Sequence, residues 1–113
     1  MTEKQLRDSI VQALNYMGYW VWSVNTGAMN AEYKGKSRFI RFNSPGTPDI
    51  MGIQKGTGVF VAIEVKLPGK EKTLTPAQES FLEMVKNNNG IAFMTTSVEQ
   101  TISSLGAFNT KKL

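Results

Sequence analysis

The hydrophobic positions of the chain repeat at two different spacings, and the change between them predicts the order of helices and strands. Near the amino terminus the apolar residues recur every three or four positions, as in a helix with one buried face. These residues are Leu6, Ile10, Ala13, Leu14 and Met17. Thr2 and Gln5 have the spacing of a capping box, so the helix should begin after Thr2, and Gly18 should end it.

The segments that follow are rich in β-branched and aromatic residues, which favours strands. The predicted strands are 19–25, 38–42, 48–53, 59–66 and 91–95. Between the first two, residues 25–36 are predicted to be a polar loop that becomes ordered on a ligand. A glycine-rich turn over residues 54–58 should fold the fourth strand back onto the third as an antiparallel hairpin.

Two more helices are predicted towards the carboxyl terminus. Thr75 is a suitable N-cap, with Pro76 at the first helical position, for a helix that continues to about Asn87. Ser97 is placed to cap a last helix over residues 98–105, and residues 109–113 are predicted to be a disordered tail. The expected fold is therefore one α/β domain over residues 1–108, with a central mixed sheet flanked by helices in the order αβββαβ.

Two tryptophans stand at alternate positions of the first predicted strand. Trp20 and Trp22 therefore share one face of that strand, and Val21 belongs to the other. Their rings could stack on exposed nucleobases, but the pattern favours a place in the core or against a helix.

Two charged residues interrupt the otherwise apolar strand 59–66. Glu64 and Lys66 share one face because the side chains of a strand alternate. The turn allows two registers, which place either Ile63 or Glu64 opposite Asp49. We favour the pairing of Asp49 with Glu64, since two carboxylates and an ammonium group then converge on one spot. Adjacent carboxylates repel each other, so a hard divalent cation is their expected partner.

This ordered set of residues resembles the PD-(D/E)xK nuclease superfamily and, more narrowly, the virus-type replication-repair nuclease (VRR-NUC) family. The resemblance rests on Glu3, Gly46-Thr47-Pro48-Asp49, Glu64-Val65-Lys66 and Gln78. It spans roughly residues 3–99, and the predicted αβββαβ order agrees with the fold of that superfamily.

The resemblance implies a metal-dependent endonuclease that hydrolyses phosphodiester bonds in DNA. Asp49, Glu64 and the backbone carbonyl of Val65 would hold Mg²⁺ or Mn²⁺, and Lys66 would be the catalytic cation beside the attacking water. Small members of the family are expected to act as homodimers on branched DNA such as Holliday junctions. A dimer is physically reasonable, because symmetric incision of two strands needs two sites related by a twofold axis.

Two other residues have two alternative roles each. The resemblance implies that Glu3 contributes to the metal site, directly or through water; the alternative is a first-turn acid stabilised by the helix dipole and turned to solvent. Gln78 either closes a capping box with Thr75 or directs its amide at Glu64 and Lys66, as the family pattern suggests. We favour the role at the site for both, so that Gln78 joins the catalytic residues.

Six cations flank the proposed site and are candidates for binding the phosphates of DNA. Lys34, Lys36, Arg38 and Arg41 precede it, and Lys70 and Lys72 follow it. Contacts of this kind would position the DNA without reading its sequence. The alternative is a solvated loop and an edge strand protected by charge.

Composition narrows the chemistry further. The 113 residues allow one small domain, and the formal net charge of +4 attracts polyanions. The chain has no Cys and no His, which excludes disulfides, the usual zinc ligands, a cysteine nucleophile and a histidine base. It has neither an apolar run long enough for a membrane span nor an evident signal peptide, so we expect a soluble cytoplasmic protein. A prokaryotic or phage origin is a separate expectation.

A second function is compatible with the same sequence. The chain could be a catalytically silent nucleic-acid-binding module that keeps a nuclease-like fold. The intact set of two acids and a lysine argues against this alternative, and cleavage assays on variants of Glu64 and Lys66 would separate the two.

Overall fold

The structure is a computed structural model that describes residues 1–24, 28–33, 36–41 and 45–111, with the backbone alone for 28–33, 36–41 and 109–111. Its helices are α1 (Glu3–Tyr16), α2 (Pro76–Asn87) and α3 (Val98–Lys111), with a 3₁₀ turn at Glu71–Thr73. Its strands are β1 (Tyr19–Ser23), β2 (Ala28–Tyr33), β3 (Lys36–Arg41), β4 (Ile50–Gln54), β5 (Phe60–Val65) and β6 (Ile91–Thr95).

The main sheet has four strands in the order β1-β4-β5-β6. The first three are antiparallel neighbours, whereas β6 is parallel to β5 because α2 carries the chain back across the sheet. Among the strands that the structure describes, β2 and β3 pair with each other and form a second sheet. With this hairpin set aside, α1, β1, β4, β5, α2 and β6 follow the predicted αβββαβ order, so the predicted fold class is confirmed.

The hairpin corrects one prediction. Residues 28–33 were expected to belong to a polar loop, but they form β2, paired antiparallel with β3. The backbone hydrogen bonds of a hairpin do not require an apolar side chain at every second position, so composition alone predicted this segment wrongly. The strand expected at 38–42 is present as β3.

The main sheet is covered by helices on both faces. Val61, Ile63 and Val65 of β5 belong to a core cluster with residues of α1 and α3, such as Ile10 and Leu105. On the other face Ala62 packs with Leu82 and Val85 of α2. From Val61 to Val65, strand β5 is therefore buried on both sides, so Glu64 is removed from water.

The predicted helix starts agree with the structure. Thr2 and Thr75 both form capping boxes, with Gln5 and Gln78 respectively. Ser97 accepts a hydrogen bond from the backbone N–H of Gln100 at 2.9 Å, as expected of an N-cap. Helix α3 continues past residue 105 to Lys111, into the predicted tail, because Phe108 extends its buried face and packs against the core.

A side chain of α1 occupies the outward backbone groups in the middle of the edge strand β1. The side-chain amide of Asn15 donates to the carbonyl of Val21 and accepts from its N–H, both at 3.1 Å. A second strand therefore cannot use these two backbone groups for pairing. Among the described residues, no helix is long and apolar enough to cross a membrane.

The two tryptophans are exposed, which overturns the expectation that they lie in the core or against a helix. The exposed fractions are 59% for Trp20 and 46% for Trp22. Both share the face of the sheet on which α2 lies, but α2 packs on β5 and β6, at the opposite side of that face from β1. Helix placement is a tertiary property that the alternation of β1 does not contain.

Candidate active site

The register of β4 and β5 brings the two predicted acids together. Ile50 lies opposite Ile63, and continuing this pairing by one position puts Asp49 opposite Glu64. This is the register that the sequence favoured, and it places both carboxyl groups on the face that carries α2. Asp49 and Glu64 are both buried, with exposed fractions of 7% and 3%.

A proline ends the ladder where the site begins. Along an antiparallel ladder, every second pair of opposite residues is hydrogen-bonded. Gln54 donates to the carbonyl of Val59 at 2.8 Å. Counting from this pair in steps of two residues, Pro48 and Val65 would form another hydrogen-bonded pair. Proline has no N–H and cannot donate to the carbonyl of Val65. The N–H of Val65 instead donates to Oδ2 of Asp49 at 2.9 Å, which fixes that carboxyl group. In the sequence, Pro48 is recognisable only as part of the motif Gly46-Thr47-Pro48-Asp49, and this role is not evident there.

Glu64 is the centre of the polar cluster. Its Oε1 accepts a hydrogen bond from Nε2 of Gln78 at 3.2 Å and lies 3.9 Å from Nζ of Lys66. Its Oε2 is buried, and among the described residues no N–H or hydroxyl group donates a hydrogen bond to it. An unpaired buried carboxylate oxygen is costly in a folded protein, so it indicates a position where a cation or a proton is expected.

The surroundings of Glu64 favour its protonated form in the absence of a metal. Burial raises the pKa of Glu64 to about 9, and a hydrogen bond to Asp49 and the negative charge of Asp49 act in the same direction. The ammonium group of Lys66 opposes this rise, and the charge of Glu3 adds to it. The two carboxyl groups are thus close enough to share a proton, which a divalent cation could replace.

Gln78 combines the two roles that were predicted as alternatives. Its Oε1 accepts from the backbone N–H of Thr75 at 2.9 Å and completes the capping box. Its Nε2 remains available and donates to Glu64. Because the amide carries an acceptor and a donor, one side chain can both start α2 and orient the carboxyl group below it.

The substitution Gln78→Glu should separate these roles. Glutamate keeps the acceptor that caps α2 but replaces the amide that faces Glu64 with a carboxylate, so we expect the activity of the site to fall by about 10–100-fold while the cap of α2 is kept. The matched variant Thr75→Ala should do the opposite: it should lower stability by about 1 kcal/mol and leave activity almost unchanged. Thermal unfolding and cleavage rates of the two variants would test this. Equal activity of Gln78→Glu and the parent would contradict the role at the site.

Glu3 lies near the site without joining a three-acid group. It is half-buried in the first turn of α1, and its charge acts on Glu64. In the part of the chain that the structure describes, no three acidic side chains lie close enough together to hold one metal ion. A contribution of Glu3 through water remains a prediction.

A glycine holds the Asp49 loop against α2. Gly46 has a φ of +88°, and a Cβ atom there would lie 2.5 Å from the carbonyl oxygen of Ala77. This close approach brings the loop before Asp49 onto the first turn of α2, next to Gln78. The sequence shows a glycine before Thr47 and Pro48, but it does not show that this glycine contacts Ala77.

The structure places only some of the predicted DNA-binding cations. Lys70 and Lys72 are exposed in and beside the 3₁₀ turn that follows β5. Lys36, Arg38 and Arg41 belong to β3, of which the backbone alone is described, and Lys34 lies outside the described residues. Contact of these six residues with DNA stays a prediction.

The fold and the polar cluster together are those of an α/β domain of the nuclease type: a mixed sheet flanked by helices, with two acids, a lysine and an amide at the end of its central strands. The family model described as VRR-NUC domain matches residues 1–99 of the 113. The chain belongs to the VRR-NUC family, and the resemblance seen in the sequence is confirmed. Among curated proteins, none matches the chain significantly.

Membership of this family implies a nuclease-type function with DNA as the substrate. Nucleases of this kind generally use divalent metals.

Proposed function

We propose that the chain is a metal-dependent DNA endonuclease whose active site is built from Asp49, Glu64, Lys66 and Gln78. The observation that carries this proposal is the convergence of these four side chains on the buried end of β5. A structural ion pair with Lys66 alone would not need a second acid against Glu64, since Asp49 raises the pKa of Glu64 and so opposes the charged form that such a pair requires.

The residues fit Mg²⁺ or Mn²⁺. The ligands on offer are all oxygen atoms: the carboxylates of Asp49 and Glu64, the unpaired Oε2 among them, and the carbonyl of Val65. A small hard cation usually keeps several waters, so two carboxylates and one carbonyl are a sufficient protein contribution. When bound, the metal would lower the pKa of a water molecule and neutralise charge on the phosphate.

The remaining side chains would orient the reactants and balance charge. Lys66 has only 12% of its side chain exposed and lies next to Glu64, so its ammonium group would be close to the attacking water and the phosphate. Gln78 would keep the Glu64 carboxylate in place through its amide. Glu3 would act through water, at the border of the site.

For the substrate and the assembly, we propose branched DNA such as a Holliday junction and a homodimer. The net charge of +4 favours a polyanion. Each chain offers one candidate site, so two symmetric cuts require two copies related by a twofold axis. Lys34, Lys36, Arg38, Arg41, Lys70 and Lys72 would contact the phosphates.

The variant Lys66→Met tests the chemistry directly. Methionine keeps most of the buried volume and removes the charge, so cleavage of a four-way junction should fall by about 100–1,000-fold while binding of the uncleaved junction changes little. The measurement compares cleavage in Mg²⁺, in Mn²⁺ and in EDTA with binding in EDTA, using a junction, a flap, a duplex and a single strand. Sedimentation equilibrium gives the number of copies.

A matched lysine provides the control. Lys55 is exposed in the turn between β4 and β5, at the opposite end of these strands from Asp49. Lys55→Met should therefore cleave as the parent does. Cleavage that persists in EDTA, or parental activity of Lys66→Met, would refute the proposed site. Binding without cleavage in either metal would instead favour the silent nucleic-acid-binding module.

A further inference from the structure

Two exposed indole rings lie on the same face of the sheet as the candidate active site. Trp20 and Trp22, which we call the tryptophan patch, have ring centroids 5.7 Å apart and ring planes inclined by 66°. About half of each side chain is exposed. Tryptophan is usually largely buried, so two neighbouring exposed rings indicate a surface that a ligand covers.

The register of the sheet places the tryptophan patch beside the carboxylates. Trp22 lies opposite Met51, two residues after Asp49, so Trp22 and Asp49 share a face. The N–H of Val24 donates to the carbonyl of Asp49 at 2.7 Å, which extends the pairing of the two strands to the site. From the usual strand spacings, the Cα atoms of Trp22 and Asp49 are roughly 8 Å apart, and Trp20 is one two-residue step farther away.

We infer that the tryptophan patch stacks an unpaired nucleobase of the DNA strand that is cut at the candidate site, an inference that rests on the proposed endonuclease function. Nucleobases stack on aromatic side chains without regard to sequence, and the attached backbone supplies the negative charge that suits a chain of net charge +4. A strand whose phosphate lies at Asp49 and Glu64 has bases within reach of Trp22.

A second copy of the chain fits this surface less well. Pairing through the edge of β1 is blocked at Val21, because Asn15 occupies both of its outward backbone groups. A base that stacks on the rings needs no edge of the strand.

A stacking site of this kind restricts which DNA structures the chain can bind for cleavage. In a continuous duplex each base is stacked between its neighbours, so a ring face becomes available only where a nucleotide is unpaired or displaced. The tryptophan patch therefore selects DNA with unpaired nucleotides beside the scissile bond, as at a branch point, a flap or a single-stranded end.

The chain provides its own probe for this site. It contains two tryptophans, both in the patch, so all indole fluorescence reports on it. In EDTA, which prevents metal-dependent cleavage, a 12-nucleotide oligo(dT) should quench this fluorescence. A blunt duplex of the same length and an abasic oligonucleotide should quench it much less, because neither offers a free base.

Single variants measure the contribution of each ring. Trp20→Leu and Trp22→Leu should each weaken oligo(dT) binding by about 5- to 150-fold, as measured by the anisotropy of a labelled oligonucleotide. Trp22→Phe keeps a ring and should retain most of the affinity, even if a leucine variant is poorly folded. Tyr16→Leu is the matched control, since Tyr16 is 94% exposed on α1 and lies outside the patch; its affinity should be parental.

Several results would overturn the inference. These are equal quenching by duplex, abasic and single-stranded DNA, parental affinity of both leucine variants, or conversion of a dimer into monomers by those variants. The last result would make the patch an interface between copies. Quenching without cleavage by the parent would contradict the endonuclease and not the stacking site, whereas cleavage without quenching would contradict only the stacking site.

Discussion

The substitution Glu64→Gln is expected to abolish cleavage and, at the same time, to make the metal-free protein more stable at neutral and alkaline pH. Glutamine has nearly the same shape and can still accept the hydrogen bond from Gln78, but it lacks the charge that holds a divalent cation. Loss of several kcal/mol of charge stabilisation corresponds to a fall of about a thousandfold in the cleavage rate.

The gain in stability follows from the pKa of Glu64, which is about 9 in the folded protein against 4.5 for an ordinary glutamate. Below pH 4.5 both the folded and the unfolded chain hold the proton. Between pH 4.5 and 9 the folded chain holds a proton that the unfolded chain has lost, so the free energy of unfolding falls as the pH rises. Glutamine does not titrate, so the variant avoids this decline, and its advantage in Tm should widen from pH 5 to pH 9.

Thermal unfolding with and without Mg²⁺ measures both effects. In EDTA at alkaline pH the variant should melt several degrees above the parent, since about 1 kcal/mol shifts Tm by roughly 4–8 °C in a domain of this size. Mg²⁺ should raise the Tm of the parent and leave the variant unchanged. Glu83→Gln, on the exposed side of α2, is the control and should cleave normally. Equal stabilisation of parent and variant by Mg²⁺ would show that Glu64 is not a metal ligand.

The substitution Gly46→Ala should damage both the fold and the site. Alanine is strained at a φ of +88°, and its Cβ would collide with the carbonyl oxygen of Ala77, which belongs to the rigid backbone of α2. We expect a loss of about 2–4 kcal/mol in stability. The cleavage rate should fall by more than the loss of folded protein explains, because the same contact sets the distance between Asp49 and Gln78.

A second glycine separates strain from collision. Gly56 also has a φ of +88°, but a Cβ atom there would meet nothing within 4 Å. Gly56→Ala should therefore cost only about 1 kcal/mol, the contribution of backbone strain, and it should cleave as the parent does. Chemical denaturation and cleavage rates of the two variants give the comparison. Equal losses of stability would mean that the contact with Ala77 does not position the loop.

Much of the site could be predicted from the sequence because it depends on short-range periodicity. Alternation along β5 is sufficient to place Glu64 and Lys66 on one face, and the spacing of Thr75 and Gln78 is sufficient to predict the capping box. The sequence allowed two registers that differ by one residue, with either Ile63 or Glu64 opposite Asp49, because the glycine-rich turn can close in two ways. The structure selects the pairing with Glu64, and Pro48 ends the ladder at that point.

Other features could not be predicted because they depend on which element covers which part of the sheet. The exposure of Trp20 and Trp22 follows from the position of α2 over β5 and β6, which the strand itself does not specify. Gln78 could serve the cap and the site together only if the first turn of α2 lay directly against Glu64. The contact between Gly46 and Ala77 produces that arrangement, and the two residues are far apart in the sequence.

By itself, the sequence determined the elements of the main sheet and its helices, their order, the family and the residue types of the candidate site, because local periodicity and covalent spacing govern these; strand β2 and the full length of α3 were not among them. The tertiary structure alone decided the pairing of Asp49 with Glu64, the burial that raises the pKa of Glu64 and the exposed tryptophan patch beside them. These features arise from packing between distant segments, and the free energy of a buried charge depends on everything that surrounds it in space.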